Sequence, residues 1–325
     1  MINCDVCGTL NFKENNYCTH CGNKLILQHI CPFCGEINSD YATHCVKCKN
    51  QINPISIDDF ETLCCEFNQN LILNAKITNE EYNNILKNIF VKADFVGIWG
   101  DTIKNKILNF AGIFTECRPK SRGYERGYIF LTNCIYYDDR LEDSVQIATI
   151  IHELSHFFLF NIIEMLLCHI FKVKPSSTLQ SFIWYFLTLP EFKIMNEYCA
   201  HTVEGRFVPF GYQNYGSFNV LVENMDIDDE SLESMVMLGN SFANEIIIYL
   251  EKYIDADLRN EIKLQYKKDF IDSKGDSILK ETDRCFSLDF KNRILLKMLY
   301  DVLNEVSCSK DIGELKSIKE GIEFS

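Results

Sequence analysis

The most continuous hydrophobic pattern in the chain lies between residues 145 and 171. Its upstream apolar positions Val145, Ala148, Ile151 and Leu154 recur at intervals of three and four residues, the period of one helix face. No glycine or proline interrupts residues 150–158, so we predict a helix there. Since apolar residues flank this segment strongly, we expect the helix to be buried in a core.

Helical periodicity marks further segments on both sides of this helix. A capping box, Thr78–Glu81, precedes one of them, and Pro190 precedes another. Two short segments rich in aromatic and β-branched residues indicate strands. We therefore predict an α+β domain that is mostly helical and has a small sheet. The further predicted helices cover residues 82–90, 101–110, 190–204, 235–250 and 288–306, and the predicted strands cover residues 127–132 and 134–137.

Composition indicates a folded protein and argues against two classes of partner. The chain has 325 residues, of which 47% are hydrophobic, and its formal charge is −14. An acidic chain is repelled by nucleic acid and by anionic membranes. The apolar segments 157–171 and 182–189 are shorter than the roughly 20 residues that a membrane-spanning helix needs, so we expect core helices.

The first 48 residues hold eight of the sixteen cysteines, in a duplicated pattern. Two turns of the form Cys-x-x-Cys can close a tetrahedral Zn²⁺ site, and two such units follow one another 27 residues apart. The pattern resembles the double zinc ribbon family. Sequential and interleaved pairing of the turns both remain open. The expected ligands of the two structural Zn²⁺ ions are Cys4, Cys7, Cys18, Cys21, Cys31, Cys34, Cys45 and Cys48.

The ribbons end where the composition changes at Asn53 and Pro54. We therefore divide the chain into a double ribbon (1–52), a linker (53–76) and a second domain (77–325). Reduced metal-binding cysteines and a first segment without a signal-peptide pattern predict a cytoplasmic protein. The ribbons carry as many acidic as basic residues, so we expect them to recognise protein rather than nucleic acid.

The central helix contains the sequence His-Glu-x-x-His at residues 152–156. Positions four apart lie on the same side of a helix, so His152 and His156 can grip one Zn²⁺ together. Glu153 lies beside them and can accept a proton from water. This motif resembles that of the zincin metallopeptidases, and the resemblance implies a catalytic Zn²⁺ with one further protein ligand.

That third ligand is expected on the helix after Pro190. Glu197 with Ala200 three residues later resembles the second motif of the gluzincins, notably the HtpX-like and ImmA/IrrE-like peptidases, in which this glutamate binds the metal. His201 departs from those families, which carry Asp or Asn there, and it is the alternative third ligand. His169 lies in an apolar segment, and its side chain is expected to pack in the core or to face solvent.

Several other residues have a candidate role near the cleft. Residues 128–132 are our expected edge strand for an extended peptide, because zincins hold substrate on such a strand. Glu204 is expected either to hydrogen-bond a ligand histidine or to face water. The residues considered for stabilising an oxyanion, none of them preferred, are Arg206, Tyr212 and Tyr215.

These observations predict a zinc-dependent metallopeptidase that acts on an intracellular protein, with the ribbons serving recognition. Two other functions remain open. The chain could be a non-catalytic adaptor that presents its ribbons on a zincin-like scaffold. It could also resemble the SprT-like proteases, which act on proteins bound to nucleic acid and use a third histidine as ligand; binding of the metal by His201 would favour that alternative.

Overall fold

The structure, a computed structural model, describes the greater part of residues 77–325 and only short pieces before them. The eight expected ribbon cysteines lie outside the described residues. The described residues are 69–94, 102–104, 107, 114–117, 127–129, 134–137, 140–175, 177–209, 215–269 and 284–308, with 2–3, 10–11, 20, 28–30, 36–39 and 47 near the start.

The described part of the chain is mostly helical. It contains nine helices, and the longest of them carries the His-Glu-x-x-His sequence. The helices are α1 (Gln69–Leu73), α2 (Asn79–Asp94), α3 (Asp143–Phe171), α4 (Ser177–Thr188), α5 (Pro190–Phe207), α6 (Gly216–Glu223), α7 (Asp229–Tyr253), α8 (Ala256–Asp269) and α9 (Leu288–Cys308).

Short strands pair in three places. The first two pairs, near the start of the chain, are antiparallel, and their registers repeat 27 residues apart: Ile2 faces Asn11 as His29 faces Asn38. The third group is a sheet of order β5-β7-β6, in which β7 pairs with β5 in parallel and with β6 antiparallel. The strands are β1 (Ile2–Asn3), β2 (Leu10–Asn11), β3 (Gln28–Ile30), β4 (Ile37–Ser39), β5 (Phe114–Cys117), β6 (Gly127–Ile129) and β7 (Cys134–Tyr137).

Helix α3 is the centre of the helical part. It contacts α1, α2, α4, α5, α7 and α8, as well as strands β6 and β7. Its apolar residues are buried on more than one side, as its nearly continuous hydrophobic sequence predicts. Many residues of the segment 157–171 and of α4 are buried. By length and composition α3 is also the one described helix that could cross a membrane, although 56% of its most apolar window is buried inside the protein.

Both ends of α3 are fixed by hydrogen bonds. At the first turn, no side chain of the N-cap residue binds the helix; instead, Asp269 at the end of α8 accepts a hydrogen bond of 2.8 Å from the amide of Ser144. At the other end, Lys172 adopts the left-handed conformation with φ 58°. The amide of Val173 then donates to the carbonyl of Cys168, which closes a Schellman motif.

Helices α5 and α7 pack closely because α7 has no side chain at Gly239. A Cβ atom there would lie 2.6 Å from the carbonyl oxygen of Met195 and 3.2 Å from the amide nitrogen of Cys199. Both atoms belong to the backbone of α5, so neither can move without moving the helix. Met195 and Cys199 lie on either side of Glu197 in the sequence. The contact therefore helps to fix the position of the Glu197 carboxylate relative to α3.

The capping box predicted before α2 is confirmed. The amide of Thr78 donates to Glu81 Oε2 at 2.9 Å, and the amide of Glu81 donates to Thr78 Oγ1 at 3.2 Å. Helix α1 lies within the segment 53–76 that we assigned to a linker, and its Ile72 is fully buried. Of the helix expected at 101–110, only residues 102–104 and 107 are among the described residues.

Candidate metal centre

Helix α3 presents the two histidines of the motif on one side. Their ring centroids are 4.9 Å apart, and the ring planes are nearly perpendicular. The side chains of His152 and His156 retain only 13% and 12% of their exposure. The structure therefore brings the two imidazoles together as the four-residue spacing predicts.

Helix α5 brings the carboxylate of Glu197 to the same point. Glu197 Oε2 lies 3.5 Å from Nε2 of His152, and Oε1 lies 3.8 Å from Nε2 of His156. Around a tetrahedral Zn²⁺ with bonds near 2.0–2.1 Å, neighbouring ligand atoms are about 3.3 Å apart. The two distances from Glu197 are therefore close to those expected around a Zn²⁺ ion.

The other ring nitrogens of these histidines are both engaged. Nδ1 of His156 lies 2.8 Å from Oδ1 of Asn196, and Nδ1 of His152 lies 3.1 Å from Oε2 of Glu204. Both partner oxygens accept hydrogen bonds, so in the neutral imidazoles the proton stands on Nδ1. When both imidazoles are neutral, as in a metal ligand, the lone pair of each Nε2 therefore faces Glu197.

His201 also lies at the site. It is buried, and its ring centroid is 4.5 Å from that of His152. One ligand atom each of His152, Glu197 and His201 lie within 4.8 Å of one another. Two possible ligand sets therefore share His152 and Glu197, with either His156 or His201 as the further member. In the first set both imidazoles lie within 4 Å of Glu197 through Nε2, while the second set is the one whose three ligand atoms all lie within 4.8 Å of one another.

The electrostatics of the site favour a bound cation. Burial raises the pKa of Glu197, but the contacts with His152, His156 and His201 lower it more, so the pKa ends well below its usual range. Burial likewise opposes ionisation of Glu204, yet His152 and His201 bring its pKa to about 2. Both carboxylates are therefore ionised at neutral pH in the metal-free protein.

The two imidazoles respond to this environment differently. Burial disfavours the charged form of His152, but hydrogen bonds to Glu197 and Glu204 outweigh it and raise its pKa well above the usual value. Burial dominates at His156 and lowers its pKa to about 4. His156 is therefore neutral near pH 7, as a metal ligand must be, while His152 holds a proton that a metal ion would displace.

Glu153 lies next to this group and is buried. Its negative charge is one of the causes that raise the pKa of His152, so the carboxylate lies within electrostatic reach of the site. Helix α3 thus places a second carboxylate beside the histidines, while Glu197 stands between their Nε2 atoms. This arrangement fits Glu197 as the carboxylate that binds the metal and Glu153 as a carboxylate that remains available for proton transfer.

The other residues that the sequence suggested for the site lie in different surroundings. His169 lies near the far end of α3, 3.5 Å from Glu81, and is not part of the site. Arg206 is half-exposed and donates to Glu251 on α7. Tyr215 is buried, with its ring centroid 5.3 Å from that of His201, while Tyr212 lies outside the described residues.

Sequence reasoning missed the role of Asn196 and left that of Glu204 open. The role of Glu204 could have been sought in the spacing, since Glu197 and Glu204 are seven residues apart and share a helix face. Comparisons of the chain with protein-family models, with curated proteins and with solved structures found no match.

Proposed function

We propose that this protein is a zinc-dependent metallopeptidase of the gluzincin type. His152, His156 and Glu197 would hold the Zn²⁺, two neutral imidazoles and one carboxylate being a ligand set typical of catalytic zinc. The observation that carries the proposal is the position of Glu197, whose two oxygens lie 3.5 Å and 3.8 Å from the two Nε2 atoms. The four-residue spacing alone supplies only the two histidines.

A zinc ion at this position supplies Lewis acidity, which polarises a peptide carbonyl and makes water more acidic. Glu153 accepts a proton from the attacking water and returns it to the amine that leaves. Asn196 and Glu204 hold the two imidazoles in the orientation that keeps each Nε2 toward Glu197. Each of these residues lies on α3 or α5, so the site depends on the packing of two helices.

Strand β6 supports a peptide as substrate. It is at the edge of its sheet, paired with β7 on one side within the described residues, and it contacts α3. An extended peptide could add to such an edge through backbone hydrogen bonds and lie along the metal-bearing helix. Tyr128 is on this strand, while the expected continuation to residue 132 lies outside the described part.

The remainder of the proposal concerns the architecture and the setting. The second domain is proposed to be an α+β zincin-like domain, preceded by two Cys₄ zinc ribbons that recognise a protein partner. Eight metal-binding thiolates need a reducing environment, so we place the protein in the cytoplasm.

The test is the Glu153→Gln variant of the full chain. It should keep the site metal, because Glu153 is not a ligand, but lose at least about 100-fold in the rate of peptide hydrolysis, because glutamine cannot accept the proton. Hydrolysis is measured on an unfolded protein substrate, and metal content by mass spectrometry. His169→Gln, at the far end of the same helix, is the control and should retain both properties.

Two results would contradict the proposal. Undiminished hydrolysis by Glu153→Gln would remove the mechanism. An unmodified protein with a full complement of metal and no hydrolytic activity would instead favour the adaptor function.

The closeness of His201 to His152 supports a second candidate function. If His201 rather than Glu197 completes the metal site, the ligand set becomes the three histidines that the SprT-like proteases use. Glu197→Ala would then keep the site metal and His201→Ala would lose it. The formal charge of −14 weighs against substrates bound to nucleic acid.

A further inference from the structure

One carboxylate oxygen of Glu204 lies between two imidazoles. Oε2 is 3.1 Å from Nδ1 of His152 and 3.6 Å from Nδ1 of His201. The first distance is within the range of a hydrogen bond, while the second is longer than one. All three side chains are at least largely buried, so water competes little for this oxygen.

We propose that His201 is a positioning residue: it holds the carboxylate of Glu204 against His152 and does not bind the metal itself. The inference rests on the metal site of the proposed function, but it is independent of whether the protein hydrolyses peptides. It gives a role to the residue at which this chain departs most clearly from the gluzincin pattern.

The two ring nitrogens of His152 face different carboxylates, and His201 lies near the carboxylate of Glu204. Glu197 approaches Nε2 of His152, which is the metal-binding side, whereas Glu204 approaches Nδ1. Along α5, His201 follows Glu197 by one turn and precedes Glu204 by three residues. Its Nδ1 lies 3.6 Å from the same Glu204 oxygen that Nδ1 of His152 uses, so the two imidazoles share that oxygen.

The surroundings of His201 limit its movement. Its side chain retains 6% of its exposure, and the rings of His152 and Tyr215 lie on it with centroid distances of 4.5 Å and 5.3 Å. A buried carboxylate without a nearby donor or cation is costly. His201 places an imidazole nitrogen 3.6 Å from the Glu204 oxygen, which reduces that cost and keeps the carboxylate against His152.

The experiment compares two substitutions at His201 in the full chain. Asparagine retains a donor near the position of Nδ1 but is a poor zinc ligand, whereas phenylalanine fills the space without a donor. Cadmium NMR distinguishes metal bound by nitrogen and oxygen from metal bound by thiolates, so it reports on this site separately from the ribbons. The affinity of the site is obtained by competition with a chelator, and His169→Phe is the matched control.

His201→Phe should weaken metal binding by about 10- to 100-fold, the usual effect of losing a group that orients a ligand. His201→Asn should restore most of that loss, with a resonance position that stays unchanged. If both variants lose the metal to the same extent as Glu197→Ala, His201 is a ligand and the proposal is overturned.

A double-mutant cycle tests whether His201 acts through Glu204. In a Glu204→Gln background, His201→Phe should cause little further loss of affinity, because the group that it positions is gone. Independent, multiplicative losses would overturn the proposal. The same cycle on the free energy of unfolding of the metal-free protein should also show coupling between the two residues.

The metal-free cycle separates this inference from the proposed function. If the unmodified protein binds no metal at the helical site, the proposed function fails. The coupling between His201 and Glu204 without metal then decides the positioning role by itself, since its absence overturns that role and its presence supports it.

Discussion

The oxygen of Asn196 and the carboxylate of Glu204 decide which nitrogen of each histidine faces Glu197. Without an acceptor at Nδ1, a neutral imidazole has no fixed tautomer, and its ring can rotate. The two acceptors differ, since one is a neutral amide and the other an ionised carboxylate. An ionised acceptor makes an imidazole a stronger electron donor than a neutral one does, so we expect His152 to be the stronger donor of the pair.

A second buried polar group lies away from the metal centre, where α2, α7 and α9 meet. Lys291 is 1% exposed and donates hydrogen bonds to Tyr82 Oη at 2.6 Å and to Glu245. Its ammonium also lies over the rings of Tyr82 and Phe242. Burial lowers the pKa of Lys291 to about 8, although Glu245 acts in the opposite direction.

This pKa predicts a pH dependence of stability. The lysine pKa is 10.5 without burial, so between pH 8 and 10 the unfolded chain binds more proton at this residue than the folded protein does. The contribution of Lys291 to the free energy of unfolding should therefore rise with pH, by about 2 kcal/mol over that range. Urea unfolding of the unmodified protein and of Lys291→Met at several pH values measures the difference.

Comparison with Lys291→Met cancels the titration of the cysteines, which is common to both proteins. Tyr82, whose pKa burial raises well above 10, does not titrate in this window. Lys297→Met is the control on the same helix, because Lys297 is exposed and pairs with Asp301. Equal slopes for Lys291→Met and the unmodified protein would show that Lys291 does not carry the effect.

At the scale of elements, the site depends on how α5 is held between α3 and α7. Helix α5 supplies Asn196, Glu197, His201 and Glu204 on the side of α3, while the backbone around Met195 and Cys199 lies against Gly239 of α7. A shift of α5 by a fraction of an ångström changes the distances from Glu197 to both histidines.

The variant Gly239→Ala tests this dependence. Alanine favours a helix over glycine by about 1 kcal/mol, but its Cβ would stand 2.6 Å from the carbonyl oxygen of Met195. We expect the steric clash to outweigh the higher helix propensity of alanine and to lower the free energy of unfolding by about 1–3 kcal/mol. Since α5 must move to relieve it, the affinity of the helical metal site should fall as well.

Chemical unfolding and chelator competition measure the two effects. Ile248→Ala, at an exposed position of α7, is the control and should change neither quantity appreciably. A Gly239→Ala protein that is more stable and binds metal normally would mean that α7 does not set the position of α5.

At the scale of the whole molecule, the chain combines a helical part with a duplicated cysteine-rich segment. The registers of the two short hairpins repeat 27 residues apart, which agrees with the duplication read from the cysteines. Because the proposed ribbon ligands and the helical ligands come from separate segments, the metals should be lost independently.

Native mass spectrometry of cysteine variants should show this independence and resolve the pairing of the turns. Sequential ribbons predict that replacing Cys7 and Cys21 by serine removes one metal, whereas replacing Cys7 and Cys34 removes two. Interleaved ribbons predict the reverse. The variant His156→Ala should lose only the helical metal, and loss of all metals in any of these variants would contradict independent sites.

Local signals in the sequence were sufficient for several features of the protein. The period of apolar residues predicted α2, α3, α5, α7 and α9, and the capping box before α2 is confirmed by its two hydrogen bonds. The helix α6, which begins at Gly216 in a segment rich in glycine and aromatic residues, was not predicted. The spacing of His152 and His156 placed both imidazoles on one side of a helix, because that depends only on helix geometry. The ribbon cysteines, outside the described residues, stay a prediction from their spacing.

Other features depend on contacts between segments that are far apart in the chain. The motif does not specify which carboxylate approaches its histidines. Glu197 does so from a separate helix, α5, which packs closely against α7 at Gly239. The cap of α3 comes from Asp269, 125 residues away from Ser144. Side-chain chemistry and helical period are local properties that a sequence carries, whereas the distance between two helices is set by the packing of all the residues between them.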